Sequence, residues 1–118
     1  MGIWDVEPSR LCRKHLLREH RELHGLWNII TQKKRGYSRH PETLRWVGKV
    51  KALYLRHEAL ATEIQLRGYR HNSPLDAVLA VGESRQTAFV DSIRQQHRLL
   101  RAKPCDCLLQ KRVRRATP

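Results

Sequence analysis

His15-Leu16-Leu17-Arg18-Glu19-His20-Arg21-Glu22-Leu23 carries two carboxylates among cations and a leucine edge. Around it the apolar residues Cys12, Leu16, Leu23, Trp27 and Ile30, with Leu26 alongside, recur at sums of three and four. That period predicts an amphipathic helix from Pro8 to about Thr31. Pro8 suits a first helical position, where a missing N–H costs nothing. Lys14, Arg18 and Arg21 keep the same spacing on another face and form a basic stripe. Lys33-Lys34-Arg35-Gly36 is expected to end the helix, its cations suiting the negative pole and Gly36 taking the left-handed conformation.

Outward from this helix, Tyr37-Ser38-Arg39-His40-Pro41 reads as a connecting loop, and Pro41 with Glu42 as the start of a second helix. It is expected to run to Arg67 and stop at Gly68, burying Leu44, Val47, Val50, Tyr54, Ala61 and Ile64. Gly48 in a helix interior costs about 1 kcal/mol relative to alanine, so close packing against another element is its expected reason. Lys49, Lys51, Arg56 and His57 are placed on the outer, mostly solvated side. Tyr69 to Pro74 reads as a turn-rich loop, and Leu75 to Val81 as a short apolar segment. Ser92-Ile93-Arg94-Gln95 has the form of a capping box opening a third helix that stops before Pro104. Three helices and no convincing strand make an all-α single domain, residues 1–107. A mobile basic tail, residues 108–118, is expected to add phosphate affinity.

Charge narrows the partner. With 24 Lys+Arg against 11 Asp+Glu the formal charge is +13, and seven His add more below neutral pH. Such a chain binds polyanions, and release of counterions from nucleic acid is the commonest driving force. No run of about 18 apolar residues is present to span a membrane, and Met1-Gly2-Ile3-Trp4-Asp5 lacks the features of a signal peptide. A cytoplasmic protein, on the nucleoid when bound to DNA, is therefore expected. Three cysteines agree with a reducing compartment. Cys12 reads as a small core residue. Cys105 and Cys107 are either structural or half of a metal site; the spacing is not Cys-x-x-Cys and no second pair stands nearby, which favours the structural reading.

Glu19 and Glu22 need an account within the basic stripe. Arg18 and Glu22 are four apart and therefore neighbours on the helix surface, so an ion pair is the simplest reading. Glu19 is taken as structural. Glu22 faces a competing reading, because a carboxylate near phosphates weakens binding unless it moves a proton or stabilises a developing cation. The short lead Ile3-Trp4-Asp5-Val6 is expected to pack across the domain and aim the amino group.

The run His15-Leu16-x-x-Glu19-His20-Arg21-Glu22-Leu23, followed by Gly48-Lys49-Val50, Tyr54-Leu55 and Arg67-Gly68-Tyr69, resembles the pyrimidine-dimer DNA glycosylase family typified by phage endonuclease V. The resemblance implies an all-α, metal-free, cofactor-free monomer that kinks damaged duplex DNA, cleaves a glycosidic bond and nicks the abasic strand. It implies that the nucleophile is the α-amine of the mature N-terminus, at Met1 or, after methionine removal, at Gly2. It further implies that Glu22 is the essential carboxylate, Arg21 a DNA contact and His15 a histidine near the site. Gly25 stands where the phage member has a second DNA-contacting arginine, leaving His24 or Arg18 to compensate. Lys14, His15, Arg18, Arg21 and His24 are thus the candidate DNA-binding residues, and Met1, Gly2 and Glu22 the candidate catalytic ones. The rival reading is a basic helical DNA-binding module without catalysis, which leaves Glu22 and the lead without purpose.

Overall fold

The computed structural model describes residues 3–33, 36, 39–71, 73–103 and 107. Among them the architecture is all-α: α1 (Arg13–Thr31), a short α2 (Pro41–Leu44), α3 (Val50–Leu66) and α4 (Ile93–Arg101), with 3-10 turns at Pro8–Arg10 and Ala77–Leu79. The expectations for Met1, Gly2, Cys105 and residues 108–118 lie outside the described residues.

The first helix begins later than its apolar period suggests. Pro8 opens a separate 3-10 turn, and the chain is extended at Leu11 and at Cys12, the residue before α1. Leu11 is buried, and its carbonyl accepts from Arg67 Nη2 at 2.6 Å, which ties this break to the end of α3. Cys12 therefore does not belong to the apolar face of the helix; it is half-buried at the helix start. At the far end the left-handed residue is Lys33, with φ 53°, rather than Gly36.

The expected second helix is two helices. The break falls at Gly48, whose φ of 80° is left-handed, so that glycine serves a turn and not a tight helix crossing. Gly82, at φ 91°, comes so close that a Cβ there would run into the Gly48 carbonyl. The segment around it satisfies the opening amides of α3: Lys51 N–H donates to Val81 O at 2.8 Å and Ala52 N–H to Glu83 O at 3.0 Å. Helix starts leave such donors without intrahelical partners, which explains why an irregular strand of chain lies here.

The break shifts the helical phase. Leu44 and Val47 are 53% and 56% exposed, whereas Trp46, Leu53 and Leu60 are buried with Val50, Ala61 and Ile64. His57, assigned to the solvated side, is 0% exposed, and Arg56 is turned inward. α3 ends as expected at Gly68, φ 86°, where Tyr69 N–H reaches Ile64 O and Gly68 N–H reaches Gln65 O. That pair of bonds is a Schellman stop.

The core lies chiefly between α1 and α3. Leu16, Leu23, Leu26, Leu53, Leu60 and Ile64 are essentially inaccessible to water, and each contributes about 1.5–3 kcal/mol through burial. α4 starts at the expected capping box, in which Ser92 Oγ accepts from Gln95 N–H at 3.1 Å and Gln95 Oε1 accepts from Ser92 N–H at 3.1 Å. Leu100 carries α4 into the same core.

Candidate active site

Three consecutive amides of the N-terminal lead are held by side chains from three different helices. Ile3 N–H donates to Glu42 Oε2 at 3.0 Å, Trp4 N–H to Glu19 Oε1 at 3.1 Å, and Asp5 N–H to Gln96 Oε1 at 2.6 Å. Ile3 and Val6 are buried. A segment with no secondary structure of its own is thereby fixed in place, because buried amides require acceptors and each of these has one.

The acceptors are themselves anchored. Glu42 takes both Nε (2.9 Å) and Nη2 (2.8 Å) of Arg45, a two-pronged ion pair, and accepts Trp46 Nε1 at 3.2 Å. Arg45 also donates to Ile3 O and to Ala88 O, each at 3.0 Å, and pairs with Asp5 at 3.0 Å. Glu19 is fully buried and pairs with Arg56 Nε at 2.7 Å. Burial pushes its carboxyl up to about 7, against the opposing pull of Arg56 and the Trp4 amide. Glu19 is thus structural, as expected, but its partner is on α3 and not on its own helix.

Glu22 is placed differently. Its side chain is 29% exposed and lies 3.8 Å from Arg18 Nε. It lines a cleft of about 430 Å³ together with Ile3 and Trp4 of the lead, His15 and Arg18 of α1, Arg45, and Gln96 and Lys103 from the α4 end. One face of α1 therefore presents Arg18 and Glu22 to the space beside the lead, while Glu19 holds the lead from beneath. Lys14 and Arg21 are exposed on α1 with Arg18.

His15 is buried, with its ring edge-on to Trp4 at 6.1 Å and Nδ1 3.3 Å from both Cys12 Sγ and Cys107 Sγ. Burial, with the positive charges of Lys103, Lys14 and Arg18, lowers its pKa. Cys107 is therefore drawn into the fold beside the site, which its position near a basic tail does not reveal.

His24 does not join the basic stripe. Its ring packs instead against His20 at 4.7 Å and His57 at 4.9 Å. Among the described residues two groups of side chains have the donors to hold a metal ion: His20, His24, His57 and His71, and Cys12, His15 and Cys107. Sequence reading missed the first group because His57 was placed on the wrong face and His71 in a loop. The pair His20 and His24, four apart, was its visible half.

A family model described as pyrimidine dimer DNA glycosylase matches residues 1–77. The chain belongs to the pyrimidine dimer DNA glycosylase family. The glycosylase match takes in the lead, α1, α2, α3 and their amide anchors Glu19 and Glu42, whereas Gln96 and Lys103 of the cleft lie beyond it. Comparisons with curated proteins and with solved structures gave no match. Among the described residues no helix is long and apolar enough to cross a membrane, and DNA is the substrate class that fits both the family and the charge of +13.

Proposed function

We propose that the protein removes a damaged base from duplex DNA and then nicks the abasic strand, using the α-amine of its first residue, Met1 or Gly2, as nucleophile and Glu22 as the essential carboxylate. The observation that carries this reading is that Glu22 and Ile3 share one cleft. Extended chain advances no more than about 3.3–3.6 Å per residue, so an amine one or two residues upstream of Ile3 stays within reach of a sugar bound there.

The chemistry suits these groups. An α-amine has a reference pKa near ~7.7–8.0, so a useful fraction is neutral and nucleophilic at pH 7, unlike a lysine. Its nitrogen bonds to the sugar C1′ as the glycosidic bond breaks and the base leaves with the bonding electrons and a proton. The C1′–O4′ bond then opens, O4′ taking up a proton as the nitrogen releases one, to give a Schiff base that makes the C2′ proton acidic; its removal expels the 3′ phosphate by β-elimination. Glu22 stabilises the cationic sugar and takes part in proton transfer. Lys14, Arg18 and Arg21 bind the phosphates, while His15 packs behind the reacting groups. Pyrimidine dimers are the substrate class that the family indicates.

Glu22→Gln tests the assignment. The variant is expected to keep its affinity for damaged duplex, since it loses a negative charge near phosphate, and to lose nicking by at least about 100-fold, the scale of a general acid–base contribution. Normal nicking by this variant would leave Glu22 as no more than the partner of Arg18.

A further inference from the structure

On the face of α1 turned away from the cleft, four imidazoles converge. His20 Nε2 lies 3.1 Å from His71 Nε2 and 3.3 Å from His57 Nε2, and His71 and His57 are 3.4 Å apart through the same atoms. His24 Nε2 is the fourth, buried and without a hydrogen-bond partner among the described residues. All four ligand atoms lie within 4.8 Å of one another.

Hydrogen bonding alone does not satisfy this group. His57 Nδ1 is 2.9 Å from the Glu58 carboxylate, so the ring is oriented from outside with Nε2 turned inward. A carboxylate is an outer partner of the kind that orients metal-bound histidines. His24 Nε2 is buried with no hydrogen-bond partner among the described residues, and a cation at the centre of the four rings gives it one.

We propose that His20, His24, His57 and His71 bind a divalent transition-metal ion, zinc by the four-imidazole donor set and by the spacing of three of its atoms. A tetrahedron with Zn–N bonds of about 2.0–2.1 Å has edges of roughly 3.3–3.4 Å; the Nε2 separations among His20, His57 and His71 are 3.1, 3.3 and 3.4 Å, and the His24 ligand atom lies within 4.8 Å of each. Four protein ligands leave no open position, so the ion is structural. It joins α1 to α3 and to the chain just past α3, on the side of α1 opposite the Glu19 and Glu22 face. This departs from the metal-free expectation that the family resemblance carried, and it does not depend on the catalytic reading.

The test uses the full chain without an affinity tag, stripped with a chelator and titrated with zinc against a chromophoric competitor, with zinc X-ray absorption on the reloaded protein. The expected result is a single equivalent bound through nitrogen at about 2.0–2.1 Å, without sulfur at about 2.3 Å. His71→Gln, in a loop and so tolerable to the fold, is expected to weaken binding by more than the roughly 10–100-fold that loss of an outer partner costs. Cys12→Ser is expected to bind zinc as the parent does. Sulfur in the coordination shell, which would place the ion at Cys12, His15 and Cys107, overturns the proposal. So does parental affinity in a folded His71→Gln variant, or failure of the folded parent to bind zinc.

Discussion

The Trp4 amide donates to one oxygen of the Glu19 carboxylate at 3.1 Å while the other oxygen binds Arg56 at 2.7 Å. A single buried carboxylate therefore joins the N-terminal lead to both long helices.

Glu19→Ala breaks both bonds and leaves the half-buried Arg56 without its partner. Removing one member of a buried ion pair costs about 3–5 kcal/mol. Thermal unfolding should show a Tm lower by well over 10 °C at the about 4–8 °C per kcal/mol of a small domain. A Tm within a few degrees of the parent would show that the pair contributes little.

How much of this arrangement is legible in the sequence depends on the range of the interactions. The α1 period, the Gly68 stop and the Ser92 box are local, and neighbouring residues alone suffice to read them. Glu42 is invisible by that route, because its value lies in an amide 39 residues away. Gly48 misleads for a related reason: without Gly82 beside it, a glycine between apolar positions reads as helix interior. One misplaced break then rotated the face assigned to Leu44 and Val47 and hid Trp46. Glu22 stands out only through motif resemblance, since a partly exposed carboxylate four residues from an arginine is locally an ordinary surface pair.

Gly82→Ala should destabilise the protein. Its φ of 91° disfavours any side chain, and the new Cβ would meet the Gly48 carbonyl, which is backbone and does not yield easily. A strained backbone position costs on the order of 1–3 kcal/mol, measurable by urea unfolding. An unchanged midpoint would contradict the contact.

Arg18 and Arg21 should act on DNA through phosphates. Each alanine substitution is expected to reduce the slope of log affinity against log salt by about 0.9, equally for damaged and intact duplex. Slopes unchanged in both variants would remove them from the interface.

His15 should titrate below its ordinary value of 6.5, because burial and three nearby cations oppose its protonation. A folded pKa below the unfolded one means that the unfolded chain binds the proton more readily. The contribution to stability is therefore present above about pH 6.5 and is lost as pH falls through the folded value. The ring resonances in an NMR titration give the midpoint directly; one at or above 6.5 would contradict the burial of this ring.

An α-amine, and not a lysine, is the group proposed to react at the sugar. Borohydride reduction during incubation with an abasic-site duplex traps a Schiff base as a stable adduct, which peptide mapping locates. The expected adduct is on the first residue and disappears after selective N-terminal acetylation. An adduct on a lysine side chain, or none from protein that nicks the same duplex, would contradict it.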